Sequence, residues 1–219
     1  DANGLTLTIN RDLSNDGDFV SSGNSVNDQS TFFVSNASQQ ISGVGSTDFW
    51  NLVKNGSGTL NVNKDITIDN QLDFLNGIIS SGTNSINAKG DVIADGTMQS
   101  AFAGPGLIFN GDEKQNLLRT GLGISNFGTI TIDNQQGVDL PLIGTDFRIN
   151  NKVILSNGQL NIGFNLLIMR ENAFFENGSG GSSIGDFSTD NMVTVNTSIV
   201  DKGISKIFND SYTGTYLFP

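Results

Sequence analysis

The chain has 219 residues, 36% apolar and only 15% charged, with 22 acidic against 11 basic residues and a formal net charge of −11. That balance argues against nucleic acid, which must be met by clustered Lys and Arg, and equally against an anionic membrane surface. Cysteine and histidine are both absent, which removes disulfides, zinc sites built on those residues, and Ser-His-Asp or Cys-His nucleophilic machinery.

The chain starts on Asp1 and reads as structure from Leu5, with no signal-peptide pattern, as a mature N-terminus or an excised piece would. Leu5-Thr6-Leu7-Thr8-Ile9 alternates apolar and polar, the period of a half-buried strand. Asp16-Gly17-Asp18 follows, and its two carboxylates offer oxygens to Ca²⁺; the similar Asp95-Gly96-Thr97 keeps only one of them. Phe32-Phe33 is expected in the core. At Phe49-Trp50, alternation turns Phe49 inward and Trp50 outward, where an indole can stack on a sugar ring.

Further runs of the same kind are Thr59-Leu60-Asn61-Val62, Asp65-Ile66-Thr67-Ile68, Gln71-Leu72-Asp73-Phe74 and Gln159-Leu160-Asn161-Ile162. The runs are separated by Asn, Gly, Asp and Ser, the residues of corners and turns. The longest apolar stretch, at 166–169, is far short of the roughly 20 residues a spanning helix needs. Strands this short either fold back as hairpins or turn the corners of a solenoid.

Internal repetition favours the solenoid. Residues 65–77, DITIDNQLDFLNG, lie over 146–158, DFRINNKVILSNG, with Ile66, Ile68, Leu72 and Phe74 matched by Phe147, Ile149, Val153 and Leu155. Residues 12–21 match 91–100, and 32–41 match 107–116. Phe49 and Trp50 fall on Ile124 and Ser125 at an offset of about 75. The expectation is an all-β parallel β-solenoid (β-helix) of about ten coils of roughly 20 residues, with residues 1–170 holding two divergent repeats (about 12–90 and 91–170). Each repeat would make about four coils, and 171–219 would continue as terminal coils leading to a following domain. In 177–187, NGSGGSSIGDF lacks both the repetition of a calcium nonapeptide and the Lys of a phosphate loop, so a flexible loop is expected. Phe174-Phe175 before it is expected in the core.

The tail carries a resemblance. NGSGGSSIGDF, then MVTVN, then YTGTYLFP, preceded in order by FWNLVKN, QLDFLNG and GQLNIGFN, resembles a run found in large surface proteins of the Bacteroidetes. In those proteins NL-x-I-x-N and L-x-L-x-x-G repeats lead to a tFxFPiG strand. The resemblance implies a parallel solenoid exported by the type IX system, with gliding-motility and other cell-surface adhesins among its relatives. The sorting domain expected at such a protein's C-terminus is missing here, so this reading takes the chain as a piece of something longer.

The expected function is therefore structural and adhesive and not enzymatic: an extracellular or cell-surface segment without cofactor, Ca²⁺ at Asp16 and Asp18 aside. Its partners would be neighbouring domains, the secretion machinery, and glycans or another surface, with Trp50 the one named contact. Single, scattered basic residues such as Lys54, Arg119, Lys152 and Arg170 lack the grouping a polysaccharide-cleaving β-helix uses. A carbohydrate-active β-helix and a passive spacer are the alternatives.

Overall fold

A strand of three to five residues with one apolar side gains stability only by burying that side against other strands. Closing three such strands into a coil and stacking coils buries all of them. The computed structural model describes residues 6–21, 28–121, 124–141, 146–181, 186–195 and 202–219. Among these it is all β, with no helix: 22 strands form a parallel β-solenoid of about seven turns, roughly 22 residues per turn. The turns are thus somewhat longer and fewer than the sequence suggests, because corner loops lengthen several of them.

Each turn has three faces. Leu7–Ile9 begins the first, Leu13–Ser14 the second and Phe19–Val20 the third. Every strand pairs in parallel with its equivalent one turn later; on the first face Leu52, Leu72, Val92 and Leu117 stack in register. On the second face Leu60, Ile79, Met98, Phe127 and Ile149 do the same. All nine of these side chains are buried, and removing each from water is worth about 1.5–3 kcal/mol. Phe33 and Phe175 join this core, while their neighbours Phe32 and Phe174 are only partly buried. Strict alternation allows one inward ring from each adjacent pair, which corrects the assignment of both pairs to the core.

Four strands, Thr47–Lys54, Ile66–Phe74, Ile124–Asp133 and Asp146–Asn157, run unbroken round a corner and serve two faces each. The register slips by one residue at each corner, between Phe49 and Asn51 and between Phe127 and Thr129. This slip corrects the repeat alignment. Thr47, Phe49, Leu52 and Lys54 occupy the places of Ser125, Phe127, Ile130 and Ile132, a shift of 78 residues, so Trp50 corresponds to Gly128 and not to Ser125.

The repeat itself holds, but it is not a whole number of turns. Ile66 lies on the third face and Phe147 on the second; Leu72 lies on the first and Val153 on the third. The second copy is displaced by eleven face positions, three turns and two faces, not by four whole coils. The three-residue difference between the offsets of 78 and 81 arises after Leu140 and before Phe147, a segment in which residues 142–145 lie outside the described residues.

The two ends differ. Ile9, Leu13 and Phe19 of the first turn are inward but only partly buried. At the other end the tail folds back: Tyr216 sits 6.4 Å from the Phe175 ring, with Phe208 and Phe218 5.8 and 4.8 Å from it. Lys206 Nζ anchors this cover by donating to the carbonyls of Arg170, Glu171 and Ala173 at 2.6, 2.7 and 2.9 Å. Burial among these rings pushes the Tyr216 hydroxyl pKa up, with the neighbouring Tyr212 adding to the effect.

Candidate functional site

At a solenoid corner the backbone leaves the ladder, and its N–H and C=O groups must find other partners if they are buried. Polar side chains supply them, and they recur in both copies. Gln39 Nε2 donates to the carbonyls of Ile9 and Arg11 at 3.0 and 2.7 Å while its Oε1 accepts from Ser35 N. Gln115 repeats the motif with Ala88, Gly90 and Gly111 N, at 2.9, 2.6 and 2.9 Å. Asn84 donates to the carbonyls of Val62 and Ser81; Asn165 donates to those of Leu140 and Ile162. Asp12 accepts from Gln40 N as Asp91 accepts from Asn116 N.

The aspartates considered for Ca²⁺ belong to the same system. Asp16 Oδ1 accepts from Val44 N at 3.3 Å, and Asp18 Oδ1 from the Ser46 hydroxyl at 2.7 Å, both in the next turn. Asp95, the counterpart of Asp16, accepts from Thr120 N and Gly121 N at 2.8 Å and from the Thr120 hydroxyl at 2.6 Å. Burial alone would raise the Asp95 pKa; these hydrogen bonds and the Arg119 guanidinium outweigh it and hold the carboxyl below its ordinary range. Among the described residues no group of three potential metal ligands converges.

Trp50 stands at a corner, partly buried, as an outward residue at the slip in register. Its backbone N–H donates to the Ser21 hydroxyl and its indole Nε1 donates to Asp28 Oδ1 at 2.9 Å. The second copy has a similar clip one residue further on, with Thr129 N donating to the Ser100 hydroxyl at 2.8 Å. The ring is thus pinned along the surface, and its one polar handle is engaged.

Two cations occupy inward positions on the first face. Lys54 is fully buried between Phe33 and Phe74 in the stack, its Nζ donating to the Gly56 carbonyl, with the Asn76 carbonyl at 3.5 Å. Desolvation lowers its pKa. Arg119 is almost as buried; its Nε lies 3.9 Å from Asp95 Oδ1, and Nε and Nη1 have no hydrogen-bond partner among the described residues.

Sequence reasoning missed the outward group formed by Phe102, Lys152, Phe174 and Glu176. Phe102 lies outside every alternating run and carried no signal of its own. It also missed the polar braces, although Gln39 and Gln115, or Asn84 and Asn165, keep both their identity and the repeat offset. Part of the glycine-rich 177–187 segment, residues 182–185, lies outside the described residues. Nearby, Gln135, Gln136, Asn157, Gln159 and Asp190 line an open polar hollow of about 310 Å³. Compared with known protein families, with curated proteins and with solved structures, the chain matches none.

Proposed function

We propose that the chain is a structural and adhesive, non-catalytic segment of a large cell-surface or secreted protein, a stiff solenoid that presents contacts to glycans or another surface. The observation that supports this best is the corner bracing. Amide and carboxylate side chains that an enzyme would converge on a reaction centre here tie each turn to the next, at positions repeated eleven faces apart. An acidic exterior suits a soluble extracellular rod that stays apart from other acidic surfaces. The resemblance at the tail adds type IX export and neighbouring domains of a longer chain as partners.

The test has two arms. Incubation of the chain with a panel of polysaccharides is expected to release no reducing ends or unsaturated products; release would establish the carbohydrate-active alternative. Glycan-array binding is expected for the intact chain, with Trp50→Ala reporting whether the indole takes part, and an array with no binding would leave a passive spacer.

A further inference from the structure

We infer that Phe102 and Phe174, with the Lys152–Glu176 ion pair, form a platform for one pyranose unit of a neutral glycan; this rests on the adhesive reading above. The platform is built by the loop 100–105, which joins Thr97–Gln99 on the second face to Gly106–Phe109 on the third. The loop leaves its own turn. The Ser100 hydroxyl accepts from Thr129 N one turn on, and the Ser100 carbonyl accepts from Asn151 Nδ2 at 3.0 Å two turns on. Gly128 lets it pass, since a Cβ there would stand 2.5 Å from Ser100 N and Oγ.

That path brings Phe102 against Phe174, three turns above its own strand, with ring centroids 5.9 Å apart and an interplanar angle of 49°. Phe102 is 52% exposed. A solenoid gains little by fixing a large aromatic half in water, whereas an ordered, exposed ring presents the apolar face that a pyranose C–H surface packs against. Lys152 Nζ lies 5.6 and 5.8 Å from the two ring centroids and 3.2 Å from Glu176 Oε2. An ammonium has three donors and a carboxylate about four acceptor sites, so the pair retains capacity for sugar hydroxyls at the edge of the rings. In the strand register Lys152 is partnered with Phe174 and Ile154 with Glu176. The net charge of −11 disfavours uronates and sialylated chains and leaves neutral sugars. Trp50 offers less: it is partly buried and its indole N–H is already bound to Asp28.

The experiment measures binding of the intact chain, Phe102→Ala, Phe102→Leu and Trp50→Ala to arrayed cello-, laminari- and mannohexaose, with thermal melting of each variant alongside. The expected result is binding by the intact chain and by Trp50→Ala, and a loss of about tenfold or more for both Phe102 variants at unchanged melting temperature. Leu keeps the apolar contact of the loop but has no aromatic face. Binding untouched by Phe102→Ala would overturn the platform while leaving the adhesive reading standing. Recovery of binding and stability by Phe102→Leu would also overturn it, by showing that the ring only packs the loop. An intact chain that binds none of these probes, nor any glycan on a wider array, overturns both.

Discussion

The two copies of the repeat put the same local design on different faces of the prism. Ile66 and Phe147 fill equivalent inward places, yet one belongs to the third face and the other to the second. What survives the rotation is the inward apolar row, the corner glycines Gly77 and Gly158, both at positive φ, and the polar braces. Other outward groups do not survive: Trp50 becomes Gly128, Thr67 becomes Arg148, and Gln71 becomes Lys152. Selection for a flat, periodic binding face would keep outward residues aligned on one face, and a displacement of three turns and two faces prevents that. Recognition, where this chain performs it, belongs to single places such as the Phe102 loop.

The sharpest way to break the comparison is to remove equivalent braces. Gln115→Ala strands the carbonyl of Gly90 and the N–H of Gly111 in a buried corner and leaves the Ala88 carbonyl only its bond from Asn110 N, which should cost about 3 kcal/mol in chemical denaturation. Gln39→Ala removes the same three bonds beside the first turn. Because turns couple mainly to their neighbours, its loss should appear as faster hydrogen exchange in residues 7–14 more than as a lower midpoint for the rest. Equal global effects from the two would mean that the solenoid melts as one unit.

Asp95 and Asp16 test the same equivalence with charge. Asp95→Asn should cost about 2 kcal/mol, since it weakens three charge-assisted hydrogen bonds and the contact with buried Arg119. Asp16, exposed and making one long bond, should cost under about 0.5 kcal/mol as Asn. The folded-state pKa of Asp95 is depressed, so its contribution is fully present above the ordinary value of 3.8 and is lost as pH falls through the lower folded value. Acid titration of stability for wild type and Asp95→Asn should converge below that range; parallel curves would assign the acid loss to other carboxylates.

Gly128→Ala should cost about 1–2 kcal/mol, because the added Cβ meets the Ser100 backbone and the loop must move. In the first copy Trp50 occupies that place without a clash, so Trp50→Ala is expected to change the melting midpoint much less. A silent Gly128→Ala would mean that the loop rides free of the corner.

The inward rows were legible in the sequence because burial fixes both the apolar type and the period of two, as at Ile66, Ile68, Leu72 and Phe74. The solenoid followed from strand length and repetition. The face reached by each strand was not legible, since corner loops of different length change the offset without changing the pattern. That is also why the alignment of Trp50 on Ser125 failed by three residues. Phe102 was invisible for a different reason: its partners Phe174 and Lys152 lie three and two turns away, a distance at which no local pattern operates.

Lys54 is an inward place where the copies differ in charge, and its replacement should give an effect of opposite sign. Its counterpart is Ile132, equally buried, so the place accepts an aliphatic side chain. Lys54 keeps its ammonium within reach of two backbone carbonyls and no carboxylate, and desolvation lowers its pKa from the ordinary 10.5. The unfolded chain therefore holds this proton more tightly than the folded one between the lowered value and 10.5, and stability rises with pH across that window. Lys54→Ile should stabilise the chain by about 1 kcal/mol at neutral pH and abolish the rise. If the substitution destabilises instead, the carbonyls of Gly56 and Asn76 need the ammonium, and Lys54 is a brace in the same sense as Gln39 and Gln115.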